Sequence, residues 1–307
     1  MKTAKVAAIT VILTMTAFSD VKYVKRYLAP LIEFSQEHHA NLLIYDQYDQ
    51  TRGLAVLTPG KVFDLPTELK SFVKPKSSRA APSLSPNGAQ VAFVQSAAEN
   101  DGQQEVWIFD LQSGSSSKIA QFPGVLSVTW SPTGDVLAVN TGWGQLRTIL
   151  LGTKESKLIA TDISSDVASW SPDGHKITYE SSSGTGEKRD FHVNVVDLTT
   201  GQVTKIAEGR YPSWSPHGDR IAYLDQQKQI YMTISSGGGQ SAPLLKGGKK
   251  IPGDPILSEP IVWSPDGRYV VVTGYYDGGT SMTLVDLTTS KRTVLHHGGD
   301  WLLATWR

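Results

Sequence analysis

Five copies of one short motif, in which Ser-Pro-x-Gly follows a tryptophan or, once, a leucine, constrain the fold of this chain most strongly. Successive copies place their prolines 46, 40, 44 and 49 residues apart. A four-stranded propeller blade occupies roughly 40–50 residues and repeats as one supersecondary unit. The spacing therefore predicts an all-β propeller in which each copy marks one blade. The copies are Leu84–Gly88, Trp130–Gly134, Trp170–Gly174, Trp214–Gly218 and Trp263–Gly267.

The chemistry of the motif favours a tight turn between two strands. Serine can hydrogen-bond the nearby backbone, proline presets φ at the second position, and glycine closes the turn. An alternating β run such as Arg220–Leu224 follows each copy, and hairpin signals such as Thr199–Gly201 come later in the unit. The tryptophan before the serine could stack on a ligand. Because it recurs once per blade, we expect it to pack between neighbouring blades instead.

The two ends of the chain complement each other. Leu303–Arg307 resembles an inner strand that stops where the turn should begin, and residues 41–65 resemble the other three strands of a blade. We therefore predict a six-bladed β-propeller over residues 41–307, whose sixth blade is shared by residues 41–65 and 299–307. Closure of the ring would remove sheet edges that favour aggregation.

Residues 1–19 have the layout of a secretory signal peptide. A basic start at Lys2 and Lys5 precedes an uncharged, mostly apolar run, and small residues precede a cleavage site after Ser19. The alternative is an ordinary buried apolar segment. The chain has no cysteine, which excludes disulfides and thiolate chemistry. We expect the protein to be periplasmic or secreted.

Residues 20–40 have the pattern of an amphipathic helix. Apolar side chains recur at helical spacing from Val21 to Leu31, and Asp20 is a suitable N-cap. Pro30 should kink or split the helix. We expect the helix to pack on the ring; docking on a partner or on a membrane or envelope surface is the alternative.

The repeats resemble the WD40-like repeats of the TolB propeller family, which also occur in the propeller domains of prolyl-oligopeptidase-type enzymes. The resemblance rests on the turns, on the Ile-Ala-Tyr-like strand after each turn and on Asp-Leu-x-Thr-Gly-like hairpins. It covers Arg79–Arg307 well and Asn41–Leu65 weakly. It implies an exported ring that holds a protein or peptide at its channel mouth. We do not expect the α/β domain of TolB proteins, because only residues 20–40 lie between the signal-like segment and the strands of residues 41–65. We expect no hydrolase domain either, since no Gly-x-Ser-x-Gly motif occurs.

The positions at which the repeats differ predict the functional surface. Six residues before each motif proline, at the end of the inner strand opposite the turn, lie Asp166, Arg210 and Glu259 in three of the repeats. Charges of both signs do not fit a dry core. They indicate either a solvated rim whose charges pair with each other or a polar funnel for a peptide or small ligand. The candidate binding residues are Arg79, Asp166, Arg210, Tyr211, Glu259 and Trp301.

The same face is predicted to carry the long connections between strands, which often mark the binding face of a repeat protein. These connections run from residue 96 to 104, 181 to 190, 246 to 260 and 274 to 280. Trp143 and Tyr275–Asp277 are its aromatic candidates.

The sequence favours a binding protein over an enzyme. It has no metal-ligand spacing and no phosphate-binding loop, and its 29 basic and 29 acidic residues argue against a nucleic-acid partner. We predict an exported, monomeric, non-enzymatic protein, without cofactor or metal, that binds a protein or peptide at the channel mouth. A channel-based hydrolase or lyase using Asp166 or Glu259, with or without a divalent metal, is the alternative. An architectural role through the helix of residues 20–39 is a third.

Overall fold

The strands of the chain pair into four-stranded antiparallel sheets. The computed structural model describes residues 31, 33–39, 42–46, 54–58, 61–64, 82–97, 102–184, 189–225, 230–235, 238–245, 261–276, 279–297 and 301–306. Within these residues, 24 strands form six sheets of four strands each. The architecture is therefore an all-β propeller, as the repeat predicts.

Five of the sheets are blades, by which we mean four-stranded sheets that one continuous stretch of chain forms around one Ser-Pro-x-Gly turn. Each blade runs from its inner to its outer strand in chain order. Blade 1 contains β4 (Ser83–Leu84), β5 (Gln90–Ser96), β6 (Gln103–Asp110) and β7 (Ser116–Pro123); blade 2 contains β8 (Val125–Trp130), β9 (Val136–Thr141), β10 (Gln145–Leu150) and β11 (Glu155–Ala160); blade 3 contains β12 (Ile163–Trp170), β13 (Lys176–Ser183), β14 (Asp190–Asp197) and β15 (Val203–Glu208); blade 4 contains β16 (Arg210–Trp214), β17 (Arg220–Asp225), β18 (Ile230–Ser235) and β19 (Ala242–Pro243); blade 5 contains β20 (Val262–Trp263), β21 (Tyr269–Tyr276), β22 (Gly279–Asp286) and β23 (Arg292–His297).

The remaining sheet, which we call the closing sheet, joins the two ends of the chain. Its strand order is β24-β1-β2-β3, with β1 (Leu42–Asp46), β2 (Leu54–Thr58), β3 (Lys61–Asp64) and β24 (Trp301–Trp306). Strand β24 pairs with β1 and contacts strands of blade 5 and blade 1.

The prediction of a six-bladed propeller is therefore wrong in its blade count. Within the described residues, the structure has five blades and one short helix. The closing sheet, predicted as a sixth blade, is not a repeat unit: it has no Ser-Pro-x-Gly turn, because its first two strands come from opposite ends of the chain and are joined only by pairing.

Each motif serine is buried and closes its turn with its own hydroxyl. In blade 3, the N–H of Lys176 donates to Ser171 Oγ at 2.8 Å, and the N–H of Gly174 donates to the Ser171 carbonyl at 2.9 Å. The same two bonds recur in all five blades. Gly174 has φ 75°, a conformation that glycine adopts without strain. The predicted turn chemistry is thus confirmed.

The turns of neighbouring blades touch each other. A Cβ added to Gly218 would lie 3.1 Å from Cγ of Pro172 in the preceding blade. The turns therefore form one face of the propeller. The opposite strand ends form a second face, which we call the loop-bearing face; it includes the β9–β10 hairpin, the β13–β14 connection and the start of β16.

The apolar core lies between the blades, and the motif tryptophans fill it. Trp130 is 2% exposed, and its Nε1 donates to the Ser83 carbonyl of blade 1 at 3.0 Å. Trp263 makes the equivalent bond to Ser213 of blade 4 at 3.4 Å. The prediction that this tryptophan packs between blades is confirmed at these positions.

The helix packs where the closing sheet meets blade 5. Its described residues are 31 and 33–37, and it buries Leu31 and Phe34 against Trp306 and apolar side chains of blade 5. The rings of Phe34 and Trp306 meet edge to face with centroids 4.7 Å apart. The predicted packing on the ring is confirmed for this part, whereas residues 20–30 lie outside the described residues. No helix among the described residues is long and apolar enough to cross a membrane.

In three blades, an aspartate caps the hairpin between the third and the fourth strand. Asp286 Oδ1 accepts hydrogen bonds from the N–H groups of Thr288 and Thr289, and its Oδ2 accepts one from Arg268 Nη2 at 2.9 Å. Asp110 and Asp197 accept the corresponding backbone bonds in blades 1 and 3. Burial acts to raise the pKa of Asp286. The hydrogen bonds from Thr288, Thr289 and Arg268 outweigh burial and lower this pKa to about 2.

Replacing the buried tryptophan of blade 2 should destabilise the whole ring. We expect Trp130→Ala to lower the free energy of unfolding by about 3 to 5 kcal/mol, because it leaves a cavity between two blades. Trp143→Ala should change it by less than about 0.5 kcal/mol, since this side chain is 72% exposed. Urea unfolding measures both. Equal losses in the two variants would contradict the assignment of Trp130 to inter-blade packing.

The Asp286 cap should give the protein an acid-sensitive contribution to stability. Because the folded-state pKa is lowered, the contribution is present above pH 3.8, the ordinary value, and is lost as the pH falls towards about 2. We expect Asp286→Asn to lower the free energy of unfolding near neutral pH by about 1 to 2 kcal/mol. The difference from the wild type should shrink over that acid range.

Denaturant unfolding at a series of pH values tests this, with the exposed Glu155→Gln as control. A difference between wild type and Asp286→Asn that stays constant with pH would show that the carboxylate charge contributes nothing to the cap.

Candidate binding site

The structure describes only part of the predicted site. Arg210 and Tyr211 begin β16 at the loop-bearing face. Arg79 and Glu259 lie outside the described residues, as do the side chains of Asp166 and Trp301. Whether the six residues converge at the channel mouth therefore stays a prediction.

The described partner of Arg210 is a buried acid, Glu180, which is not among the predicted site residues. Glu180 lies on β13 and is fully buried. Its Oε1 accepts hydrogen bonds from Arg210 Nε at 3.2 Å and from Ser164 Oγ at 3.1 Å. Its Oε2 accepts one from the backbone N–H of Tyr211 at 3.1 Å. The carboxylate is thus satisfied on both oxygens by residues of blades 3 and 4.

Two aromatic rings flank the Arg210 guanidinium. Its carbon lies 4.2 Å from the ring centroid of Phe191 on β14 and 4.5 Å from that of Tyr211. The Arg210 side chain keeps 23% of its surface exposed. Because Glu180 and Phe191 belong to the second and third strands of blade 3, the guanidinium lies between blades 3 and 4. Cation–π contacts at such distances are favourable, and more so where water is excluded.

The backbone before Arg210 has little freedom. A Cβ on Gly209 would come within 2.5 Å of the Tyr223 ring, so only glycine fits there without displacement. The N–H of Gly209 donates to the Phe191 carbonyl at 2.9 Å. Tyr211 adopts φ 54°, which is strained for a residue with a side chain. This kink directs the Tyr211 N–H to Glu180.

Electrostatic effects on Glu180 oppose each other. Burial raises the pKa of its carboxyl, while Arg210, the Tyr211 N–H and the Ser164 hydroxyl act to lower it; the net direction is upward. A buried ion pair of this kind contributes little net stability, but removing one partner leaves the other unsatisfied. The arrangement therefore fixes the orientation of Arg210 more than it stabilises the fold.

A second polar cluster lies on the other face of blade 3. His192 Nδ1 is 2.6 Å from Glu208 Oε2, and His192 Nε2 is 3.0 Å from Ser183 Oγ. The order of groups is that of a serine, its base and an orienting acid. Glu208 is 61% exposed and also pairs with Lys205, so its environment is aqueous. We interpret the cluster as cross-strand polar pairing on the sheet surface.

Trp143 is the exposed aromatic residue of the β9–β10 hairpin. Its side chain is 72% exposed. The hairpin is held on both sides: the N–H of Gly142 donates to the Gly124 carbonyl, and the Gly144 carbonyl accepts from the N–H of Ile163 at 3.1 Å. Trp143 is thus presented to solvent by a fixed backbone. The prediction that Trp143 is an aromatic residue of this face is confirmed.

The other predicted loop aromatics are placed differently. Tyr275 and Tyr276 belong to β21, which pairs with β22 up to Tyr276 and Gly279, so strand pairing replaces most of the predicted long loop. Asp277 lies outside the described residues. Strand formation continues there because both segments have the alternating, β-prone composition of paired strands.

A position-by-position comparison of the second strands could have found Glu180. The residue six positions after the motif glycine is charged only in blade 3. The equivalent residues in the other blades are Val94, Asn140, Leu224 and Thr273. The charged positions of the inner strands alone do not reveal it.

The fold and the site together define a repeat-type propeller with an individual polar site between two of its blades. The family described as "TolB beta propeller domain" matches residues 68–307. The chain belongs to this family.

Solved structures of TolB share the fold. TolB from Acinetobacter baumannii superposes with a TM-score of 0.66 and 17% identity, over 89% of this chain and 67% of that chain. A putative TolB from Agrobacterium tumefaciens gives a TM-score of 0.55 and 18% identity, over 88% and 98%. At these identities the similarity shows the fold alone.

A curated peptidase shares part of the sequence. A stretch of 135 residues is 29% identical to dipeptidyl-peptidase 5 of Porphyromonas gingivalis, covering 40% of this chain and 19% of the peptidase. The chain therefore spans about a fifth of the length of that relative. The resemblance to peptidase propellers that the repeats indicate is confirmed.

Removing the buried acid should be far more costly than removing an exposed one. We expect Glu180→Ala to lower the free energy of unfolding by about 3 to 5 kcal/mol, because it leaves the Nε of Arg210 and the backbone N–H of Tyr211 without their acceptor between two blades. Glu208→Ala should cost less than about 1 kcal/mol, since that carboxylate is exposed. Urea unfolding of the two variants measures the contrast, and a similar cost for both would refute the buried pair.

Proposed function

We propose that this protein is an exported binding protein that holds a protein or peptide partner on its loop-bearing face. Membership of the TolB β-propeller family is consistent with a protein-binding scaffold. The signal-peptide layout of residues 1–19 supports export.

The exposure of Trp143 is the observation that carries this proposal. The Trp143 side chain has 72% of its surface exposed to water. A bound partner that covered this ring would bury a large apolar surface. Its hairpin is fixed by backbone bonds to Gly124 and Ile163, so binding would not have to order it. Tryptophan and arginine are the residue types most enriched among residues that dominate binding energies. Arg210 is held at the same face by its own partners.

The described residues give the enzymatic alternative no support. They contain no group of three or more His, Asp or Glu that could hold a metal ion. The two acids that the alternative requires, Asp166 and Glu259, have no described side chains. The alternative that depends on Asp166 and Glu259 therefore stays a prediction.

Site-specific photocrosslinking tests the proposal. A photoreactive phenylalanine analogue replaces Trp143, and the full chain is expressed in the source cell and irradiated. We expect a discrete crosslinked species, because this position lies in the partner interface. The same analogue at Val294, which is 56% exposed on the outer strand of blade 5, should give none.

A second measurement makes the result independent of the probe. Trp143→Ala should weaken capture of the crosslinked partner by at least about tenfold, as expected for a central interface tryptophan. Leu158→Ala, an exposed apolar change on the outer strand of blade 2, should leave capture unchanged. Equal capture by wild type and Trp143→Ala would place the interface elsewhere.

A further inference from the structure

We infer that Arg210 is a carboxylate receptor and that it binds an acidic group of the partner. The inference rests on the proposed function and names the chemistry recognised at that face. Its basis is the juxtaposition of a buried acid, two aromatic rings and one partly exposed guanidinium between blades 3 and 4.

Among the described residues, one acceptor engages the Arg210 guanidinium. Arg210 Nε donates to Glu180, and no acceptor among the described residues hydrogen-bonds its two Nη groups. The Arg210 side chain keeps 23% of its surface exposed, so it is not sealed from solvent. Two parallel N–H donors on the outer edge of a guanidinium match the two oxygens of a carboxylate.

The orientation of this edge is fixed before any ligand arrives. The rings of Phe191 and Tyr211 restrain the plane of the guanidinium, and the Nε bond to Glu180 restrains its rotation within that plane. A free surface arginine would lose rotamer freedom on binding, whereas Arg210 has already lost it. The pair of Nη groups is therefore preorganised, which favours binding of a planar group in the plane of the guanidinium.

The charge balance favours a carboxylate over a phosphate. Glu180, when ionised, offsets the charge of Arg210, and the pair then has no net charge. The other described cations at this end of blade 3 are Lys205, which Glu208 engages on the opposite face of the blade, and the exposed Arg189, which neighbours Asp190 in the sequence. A phosphate dianion is usually bound by several cations or by a run of backbone N–H groups. A monoanionic, planar carboxylate needs less positive charge and uses the bidentate geometry.

Two sources within a protein partner share this chemistry: the carboxyl group of a chain terminus and the side chain of an Asp or Glu. Small probes separate them. N-acetylglycine represents the terminus, and the α-amide of N-acetylglutamate represents an internal acidic residue. N-acetylglycinamide is the uncharged control, and inorganic phosphate tests for a general anion site.

Nitrogen-15 NMR of the intact protein can measure probe binding at Arg210 directly. The Arg210 Nε–H should give a resolved signal because its proton is held by a buried carboxylate, and its absence from the spectrum of Arg210→Lys assigns it. We expect a saturable shift of this signal with one or both carboxylate probes, at dissociation constants of order millimolar to tens of millimolar. The neutral amide should cause no shift.

Matched variants separate recognition from general charge. Arg210→Lys keeps the positive charge but loses the paired donors, so probe binding, followed by ring signals of Phe191 and Tyr211, should weaken by at least about tenfold. Arg268→Lys is the control, since Arg268 also lies over a tyrosine ring and pairs with an acid, but at the turn-bearing side of blade 5. It should bind the probes as the wild type does. Thermal unfolding of both variants confirms that the ring is intact.

The outcomes distinguish this inference from the proposed function. No saturable shift with either carboxylate, or tighter binding of phosphate than of both, overturns the carboxylate assignment while the crosslink at position 143 still supports a partner. Probe binding with unchanged partner capture by Arg210→Lys shows that the partner does not use this group, which also overturns it. Probe binding that Arg210→Lys abolishes, together with reduced partner capture, supports it.

Discussion

Every blade of this propeller is apolar on both faces, and this constraint determines the rest of the architecture. On β9, Leu137 and Val139 pack towards blade 1, while Ala138 between them packs towards blade 3. Strand alternation makes this unavoidable, because successive side chains point to opposite sides of a sheet. A linear stack of such sheets would leave one apolar face uncovered at each end. A closed ring covers both, and the closing sheet and the helix complete the cover of blade 5 through Leu42, Trp306 and Phe34.

Ring closure by pairing also explains why the two faces of the protein differ. At the turn face, buried serine hydroxyls and glycines with positive φ must recur in each blade, so this face has little room for individual chemistry. At the loop-bearing face, strand ends need only be connected. Trp143 and the Glu180–Arg210 pair each occur in one blade or one junction there. The residues that recur in every blade therefore maintain the ring. The residues that occur in one blade or one junction form the candidate site.

The sequence predicts those features that depend on local chemistry and on repetition. Turn closure by the motif serines, inter-blade packing of Trp130 and exposure of Trp143 all follow from residue type and spacing. The blade count was overestimated because the strands at the two chain ends resemble a repeat without its turn. Glu180 was missed for a different reason: its pairing with Arg210 spans 30 residues and two blades, and it depends on the kink at Tyr211 and the close approach at Gly209. Neither can be read from periodicity.

Among the described residues, two arginine–acid pairs lie over tyrosine rings, and their difference indicates what each one does. Arg268 and Asp286 connect a turn to a hairpin within blade 5, and the arginine side chain is half exposed, so the pair extends the capping chemistry of the repeat. Glu180 is fully buried and bridges two blades, where burial of its charge costs free energy that packing alone would not require. An apolar residue at this position, as Val94 and Leu224 are in blades 1 and 4, would satisfy the core. The Glu180 carboxylate, unlike an apolar side chain, accepts a hydrogen bond from Arg210 Nε and so fixes the direction in which the guanidinium points.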